Sequence, residues 1–315
     1  MAEREKLHRI GILIYPRAQM SAVLGLTDLF EMANRVSAEL GAPSANIDVQ
    51  HWRADDGPTT PDAPLTALIV PPSLDDQAPE DDDELDRLAA WTINRHGEGT
   101  VVCSVCVGAF LLARTGLLSG RVVTTHWALA DRFAEDFPEI ELDTDKLLID
   151  DGDIITAGGL MAWTDLGLKL IDRLLGSAIT LATARYFLVD PGGREQRFYS
   201  SFAPKLSHGD SAILKVQHWL ATTSDEKITL PAMAGKAGLG ERTFLRRFHR
   251  ATGLKPIRYL QQLRVGKARG MLELSSMTVD EIAWKVGYED TSAFRKLFKR
   301  IMGLSPGEYR RRFAV

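Results

Sequence analysis

The spacing of hydrophobic positions divides the chain into two regions with different predicted structure. Through about residue 175, short apolar runs typical of buried strands alternate with stretches of helical spacing. Predicted strands are 10–15, 47–52, 65–70, 100–105 and 121–124, with a hairpin of 147–150 and 154–156. Predicted helices are 28–36, 108–115, 128–137 and 166–175. One more helix follows an acidic loop at 75–86 and ends near residue 96. Such alternation favours an α/β domain built on a parallel sheet.

Beyond this region the chain becomes irregular and then wholly helical. The stretch from 190 to 211 contains Pro, Gly and Ser residues typical of a connection between domains. We therefore predict an N-terminal α/β domain over 8–190, a linker over 191–211 and an all-α domain over 212–315.

The all-α region contains one short pattern twice, at 230–248 and at 279–298. Each copy has a short apolar helix, a turn that opens with Gly238 or Gly287, and a helix dense in Arg and Lys. This pattern is typical of a helix-turn-helix, whose second helix enters the major groove of DNA. A long helix is predicted between the copies, over Pro256–Leu274. Small and aromatic residues recur at matching positions: Ala234 and Ala283, Phe244 and Phe294, and Phe248 and Phe298.

Charge separates the two regions as clearly as periodicity does. The net charge of −4 conceals a basic segment, 211–315, with 20 Lys and Arg against 9 Asp and Glu. Residues 1–210 carry 18 against 33. A charge run alone is usually a solvated face, but here it coincides with a duplicated motif. The combination indicates a nucleic-acid-binding domain joined to an acidic domain for sensing or assembly.

Two segments of the basic region carry a family resemblance. The sequence at 254–269 is similar to the inter-unit helix of AraC/XylS-type transcription regulators, and 282–310 resembles their C-terminal signature. The resemblance implies a seven-helix domain with two recognition helices in adjacent turns of one DNA face. It implies base contacts from Arg242, Arg246, Thr291, Ser292 and Lys296, and phosphate contacts from Thr243, Arg247 and Lys299, with Arg295 as a further DNA-facing residue. Where Lys296 stands the family often has Arg, and Lys lacks the bidentate fork that binds guanine.

The acidic region has its own distinctive turn, at Cys106. A cysteine at a sharp strand-to-helix turn is the arrangement of a nucleophile elbow. The segments 104–127 and 156–165 resemble the PfpI/isonitrile-hydratase-like class of the glutamine amidotransferase superfamily, over about 8–190. Such a domain before an AraC-type module is the arrangement of GlxA-type transcription regulators. The resemblance implies a flavodoxin-like sheet that commonly dimerises and senses a small metabolite.

Three differences argue against catalysis by this domain. Val107 stands where related proteases and amidases have a His, and Ala22 aligns with the acidic residue that tunes the thiol in many enzymes. Pro71-Pro72 replaces a Gly-Gly oxyanion loop, and proline has no N–H to donate. His126 is the remaining candidate base, with a structural role as the alternative.

We therefore predict no catalytic residue and a ligand pocket formed by Cys106, Val107, His126 and Trp127. Cys106 could be a pocket wall, a sensing thiol or the nucleophile of a hydrolase or hydratase with a DNA-binding appendage. Cys103, in mid-strand, is assigned to the core.

The expected partners are double-stranded DNA, a small-molecule effector, RNA polymerase and a second copy bound through the N-terminal domain. The resemblance favours activation and a nitrogen-containing effector. Neither a cofactor nor a metal is expected, because His and Cys show no ligand spacing. No apolar run approaches the ~18–20 residues that span a membrane, and no signal peptide is apparent, so a cytoplasmic location is expected.

Overall fold

A computed structural model describes residues 6–41, 45–53, 64–74 and 82–314 of the chain. The structure divides into two compact units, Met1–Gln196 and Arg197–Val315. The predicted acidic loop falls outside the described residues up to position 81.

The first unit is built on a six-stranded sheet, with a small separate sheet of two strands. The strands are β1 (Lys6–Ile14), β2 (Ala45–Arg53), β3 (Ala67–Val70), β4 (Val101–Val105), β5 (Val122–Val123), β6 (Glu141–Leu142), β7 (Leu148–Asp150) and β8 (Ile154–Ala157). The large sheet has the order β2-β1-β3-β4-β8-β7. Its neighbouring strands are parallel except β7, which pairs antiparallel with β8 in the predicted hairpin. The small sheet pairs β5 with β6 in parallel.

Helices cover both faces of this sheet. Along β3, Ala67 and Ile69 join one apolar cluster while Leu68 and Val70 join another, because successive side chains of a strand point to opposite faces. The helices are α1 (Met20–Glu39), α2 (Asp82–Gly97), α3 (Gly108–Arg114), α4 (Ala130–Asp136), α5 (Trp163–Leu175) and α6 (Ser177–Phe187). The first cluster contains residues of α1 and α5, and the second contains residues of α2 and α3. This is the predicted flavodoxin-like, doubly wound architecture.

Several elements differ from the predicted ones, among them α6 and the start of α4. Helix α6 was not predicted: two positions of its buried face are the polar residues Thr180 and Thr183, so the sequence shows no continuous apolar stripe there. The helix predicted at 128–137 begins instead as a 3₁₀ turn, Trp127–Leu129, before α4.

The second unit contains the predicted seven helices. They are α7 (Ser211–Thr223), α8 (Leu230–Ala237), α9 (Glu241–Thr252), α10 (Pro256–Leu274), α11 (Val279–Lys285), α12 (Thr291–Met302) and α13 (Pro306–Phe313). Helix α10 has the predicted bounds. Each helix-turn-helix has its own apolar core, one around Phe244 and Phe248 and the other around Phe294 and Phe298. The four phenylalanines are fully buried.

The boundary between the two compact units falls inside the predicted linker, between Gln196 and Arg197. Phe202 packs edge-on against Tyr259, with ring centroids 5.1 Å apart, and Tyr199 packs against Phe313. Part of the Pro-, Gly- and Ser-containing stretch is therefore structural, since its aromatic side chains complete the core of the helical unit.

Candidate nucleic-acid interface and effector site

Helix α9 carries its basic residues on the side away from its core. Phe244 and Phe248 anchor the helix, while Arg242, Thr243 and Arg246 are exposed. Arg242 and Arg246 are four residues apart and so lie on one helical face. The helix follows a turn in which Gly238 adopts φ +69°, a left-handed conformation that favours glycine. This arrangement leaves the side chains of both arginines exposed on the face opposite the phenylalanines.

Helix α12 repeats the arrangement with different side chains. The exposed Ser292 and Lys296 take the positions of Arg242 and Arg246 when the buried phenylalanines are superposed by sequence. Thr291 is partly exposed at the first turn, and Lys299 is exposed one turn beyond Lys296. At the N-terminus of α12, Asp290 accepts hydrogen bonds from the backbone of Ser292 and Ala293, whereas Gly240 precedes α9 without a side-chain cap.

Two of the predicted DNA-facing arginines have carboxylate partners within the protein. Arg247 forms a two-pronged ion pair with Asp210, with N–O distances of 2.9 and 2.7 Å. The hydrogen bond from Arg247 holds the pKa of the Asp210 carboxyl below its usual range. Arg295 donates to Asp280 at 2.8 Å, but both side chains are about half exposed, and such surface pairs are weak. Arg247 is therefore much more firmly held than Arg295.

Helix α10 holds the two helix-turn-helix units against each other through Arg264. The guanidinium donates to the backbone carbonyls of Ser224 and Glu226, in the loop after α7, and of Gly287, in the turn after α11. It also lies over the ring of Tyr288, 5.0 Å from the centroid. Arg264 thus binds three backbone carbonyls, two in the loop after α7 and one in the turn after α11. The charge pattern of the sequence did not predict this role.

The elbow predicted at Cys106 is present. Cys106 follows β4 with φ +55°, which is strained for a non-glycine residue, and its backbone N–H donates to Ala157 at 2.7 Å. The elbow lies near the point between β1 and β3 where the strand order reverses, at the carboxyl ends of the strands, where doubly wound proteins bind ligands. Cys106 and Val107 are nevertheless almost fully buried in the apolar core.

Carbonyl oxygens of the Pro71-Pro72 loop accept hydrogen bonds beside the elbow. Tyr15 donates its hydroxyl to the Pro71 carbonyl at 2.7 Å, and the Gln19 backbone N–H donates to Pro72. Burial, and secondarily the charge of Cys106, raise the pKa of the Tyr15 phenol. A Cβ at Gly108 would lie 2.6 Å from the Val70 carbonyl oxygen, so only glycine fits there. Pro71 and Pro72 therefore present hydrogen-bond acceptors here and, as prolines, have no backbone N–H to donate.

The segment that carries His126 and Trp127 is bound directly to the elbow. Thr125 donates its hydroxyl to the Cys106 carbonyl at 2.7 Å. His126 accepts a hydrogen bond from the Ala128 N–H through Nδ1 and so caps the short 3₁₀ turn, with its ring 5.5 Å from that of Trp127. This contact gives His126 a structural role. Cys103 is fully buried, and burial raises the pKa of its thiol, in keeping with its assignment to the core.

The first unit also contains an open cavity of about 550 Å³ outside the predicted pocket. Its walls come from α5, α6 and the 191–195 segment. Two of the basic residues that line it have carboxylate partners: Arg194 pairs with Asp165, and Lys169 with Asp150.

Metal and membrane features can be assessed only for the described ranges. Within them, no three His, Cys, Asp or Glu side chains are grouped to hold a metal ion. Among the same residues no helix combines the length and apolar character needed to cross a membrane.

A doubly wound α/β unit followed by two helix-turn-helix units with basic outer faces defines a class of DNA-binding regulator. Family models agree with both halves: a DJ-1/PfpI family model matches residues 76–173, and a helix-turn-helix domain model matches 233–312. The chain belongs to the family of GlxA-type transcription regulators, which join these two domains.

Individual relatives support the same conclusion. The chain is 30% identical over 220 residues to the HTH-type transcriptional regulator GlxA of Rhizobium meliloti (strain 1021), covering 68% of this chain and 66% of that protein. It is 26% identical over 311 residues to the HTH-type transcriptional regulator GbdR of Pseudomonas aeruginosa, covering 96% and 83%. A crystal structure of a protein from Vibrio parahaemolyticus matches 57% of this chain and 99% of its own at 19% identity and a TM-score of 0.50, which supports the fold alone. These relatives favour regulation over catalysis.

Proposed function

We propose that this protein binds DNA sequence-specifically by inserting α9 and α12 into two successive turns of the major groove. The observation that carries the proposal is the duplication: each unit buries a matching pair of phenylalanines and exposes polar or basic residues on the opposite face of the same helix. A recognition helix needs this division between an anchored face and a DNA-facing one.

Base recognition is assigned to Arg242 and Arg246 on α9 and to Thr291, Ser292 and Lys296 on α12. Thr243, Arg295 and Lys299 are assigned to phosphates, which position a protein without specifying sequence. Arg247 would have to leave Asp210 to reach DNA, so we assign it to the scaffold instead.

The direct test is selection of duplexes from a random pool by the full-length protein, followed by affinity measurements at several salt concentrations. The selected bases should fall in two blocks about 10 base pairs apart. The logarithm of affinity should fall with the logarithm of salt concentration, with a slope of about −0.9 per phosphate neutralised. Failure to enrich any sequence, or binding that ignores salt, would contradict the proposal.

For the N-terminal unit we propose effector binding without catalysis, at the elbow formed by Cys106, Val107, His126 and Trp127. The support is the position of the elbow at the carboxyl ends of the strands, combined with the Pro71-Pro72 loop. The alternative is a cysteine-dependent hydrolase or hydratase. Turnover of an amide or isonitrile by the purified protein, abolished in Cys106→Ser, would favour that alternative.

We further propose that the protein forms a homodimer through its N-terminal unit and activates transcription in the cytoplasm by contacting RNA polymerase. Exposed apolar side chains lie on two elements that pack together: Leu24 on α1 beside Gly25, and Met161 just before α5 near Trp163, whose ring lies against Gly25. Sedimentation analysis of the full chain would reveal the dimer, and Leu24→Glu should weaken it.

A further inference from the structure

Gln196, the last residue of the N-terminal unit, buries its side chain among the residues that carry the proposed effector site. Only 2% of its surface is exposed. Its amide nitrogen lies 3.0 Å from the Thr124 hydroxyl, 2.8 Å from the Thr125 carbonyl and 3.0 Å from the Lys146 carbonyl. Its amide oxygen accepts from the Trp127 N–H at 3.1 Å. One side chain from the end of the unit therefore holds three residues of the segment that surrounds His126.

This contact continues to the elbow in one further step. Thr125, whose carbonyl binds Gln196, donates its own hydroxyl to the carbonyl of Cys106. The packing leaves no slack around the amide: a Cβ at Gly158 would lie 2.0 Å from the Gln196 amide nitrogen. A change in the position of Cys106 or of the 124–127 segment must therefore displace the side chain of Gln196 or break its hydrogen bonds.

The two residues that follow Gln196 already pack within the DNA-binding unit. A Cβ at Gly303 would lie 2.5 Å from Arg197 Nε and 2.6 Å from the Phe198 ring, so both side chains lie against this glycine. Gly303 terminates α12, the second recognition helix. Two residues after Phe198, the carbonyl of Ser200 accepts a hydrogen bond from Arg269 of α10. The residue after Gln196 thus already contacts the end of a recognition helix.

The geometry points to Gln196 as a coupling residue, which transmits the state of the elbow along the chain to the C-terminal end of α12. The inference rests on the proposed function, because it gives the effector site and the DNA-binding helices a physical connection. Each step is a short contact between neighbouring groups, so a two-state rearrangement of the 124–127 segment would shift Arg197 and Phe198 against Gly303. Coupling between two sites is reciprocal, so DNA bound to α12 must also affect the elbow.

Reciprocity permits a test that needs no effector. The rate at which N-ethylmaleimide modifies Cys106 is measured in the full-length protein, free and saturated with a duplex selected from a random pool. Tandem mass spectrometry distinguishes the adduct at Cys106 from one at Cys103. In the wild-type protein, DNA should change the rate by about fivefold or more, the lower end of ordinary coupling between sites.

In Gln196→Met, which keeps the length of the side chain and removes its hydrogen bonds, the rate ratio should fall to about one. Thr125→Val removes the hydrogen bond from Thr125 to the Cys106 carbonyl and should give the same result. This second variant keeps the test decisive if Gln196→Met folds poorly. The control is Asn34→Leu: Asn34 also binds backbone with its side-chain amide, exchanging two hydrogen bonds of 2.8 Å with Ile47, and these bonds join α1 to β2, away from the connection through Thr125 and Gln196. Its ratio should match the wild type.

The outcomes separate the two levels of the argument. An unchanged ratio in both Gln196→Met and Thr125→Val, or a wild-type rate that DNA does not alter, would overturn the coupling role while leaving DNA binding established. Failure to select any duplex would overturn the proposed function, and with it the coupling.

Discussion

The guanidinium of Arg264 donates to the backbone carbonyl of Gly287 at 3.0 Å, and this bond joins the helix between the two DNA-binding units to the turn of the second. Gly287 has φ +86°, and a Cβ there would lie 2.4 Å from the Asp225 carbonyl oxygen. The loop after α7 and the turn after α11 therefore meet at Gly287. No side chain larger than that of glycine fits at this position beside the Asp225 carbonyl and the Arg264 guanidinium. This contact helps to set the distance between α9 and α12.

We predict that Arg264→Ala reduces affinity for the complete two-block operator while leaving base preference within each block unchanged. The reason is that the variant removes three hydrogen bonds to backbone carbonyls, which are worth about 1.5–3 kcal/mol each for charged donors, and loosens the spacing of the units. Competition binding with operators whose blocks are shifted by one base pair measures the effect. The exposed Arg258, on the same helix, supplies the charge-matched control Arg258→Ala. Equal behaviour of the two variants would show that Arg264 contributes charge alone.

Arg246→Ala should cost about 1–3 kcal/mol at the selected operator and less at random DNA, because a bidentate base contact is lost. Arg242→Ala should behave in the same way. Lys296→Arg, at the matching position of α12, should strengthen binding where the second block presents guanine, since Arg supplies the fork that Lys lacks. Fluorescence anisotropy with operator and scrambled duplexes measures both effects. Equal losses on the two duplexes would reassign these residues to phosphates.

The Arg247–Asp210 pair predicts a dependence of stability on pH. Arg247 lowers the pKa of the Asp210 carboxyl, so the pair stabilises the folded unit above the ordinary carboxyl pKa of about 4, and that stability is lost as pH falls through the lowered value. Asp210→Asn keeps a capping side chain on α7 and removes the charge. The variant should be less stable than the wild type at neutral pH, and the difference should shrink as the pH falls through the lowered pKa of Asp210. Urea unfolding measures the stability of both proteins at each pH, and hydrogen exchange locates the change in α7 and α9. A stability difference between variant and wild type that stays constant at every pH would exclude the ion pair as its cause.

Substitutions at Cys106 distinguish a wall from a reactive thiol. We predict that Cys106→Ser retains most of the response to effector in a transcription reporter, because the residue is a buried wall. Cys106→Trp should abolish that response while DNA binding persists, although overpacking the core should cost about 1–3 kcal/mol of stability. Loss of response in the Ser variant would identify the thiol as the sensor. Full regulation in the Trp variant would move the effector site elsewhere, for example to the cavity beside α5 and α6.

Some of these features could be predicted from the sequence and others could not. The helix-turn-helix units, the elbow at Cys106 and the long α10 were predicted, because periodicity, glycine position and charge are local properties. The Arg247–Asp210 pair joins residues 37 positions apart, so the charge pattern alone suggested a free arginine. Gln196 lies in a stretch whose composition indicated a linker, and nothing local shows that its amide is buried. Such contacts depend on how elements pack, which one-dimensional patterns do not record.

The difference between the two recognition helices has a consequence for the orientation of each chain on DNA. In the proposed binding mode Arg242 and Arg246 face one block of the site and Ser292 and Lys296 the other, and the two helices begin after unlike residues, Gly240 and Asp290. A single chain bound to two unlike blocks cannot be turned end for end without losing its contacts. In the proposed binding mode each chain's pair of blocks therefore has a direction, and a homodimer would require two such pairs in a fixed relative orientation.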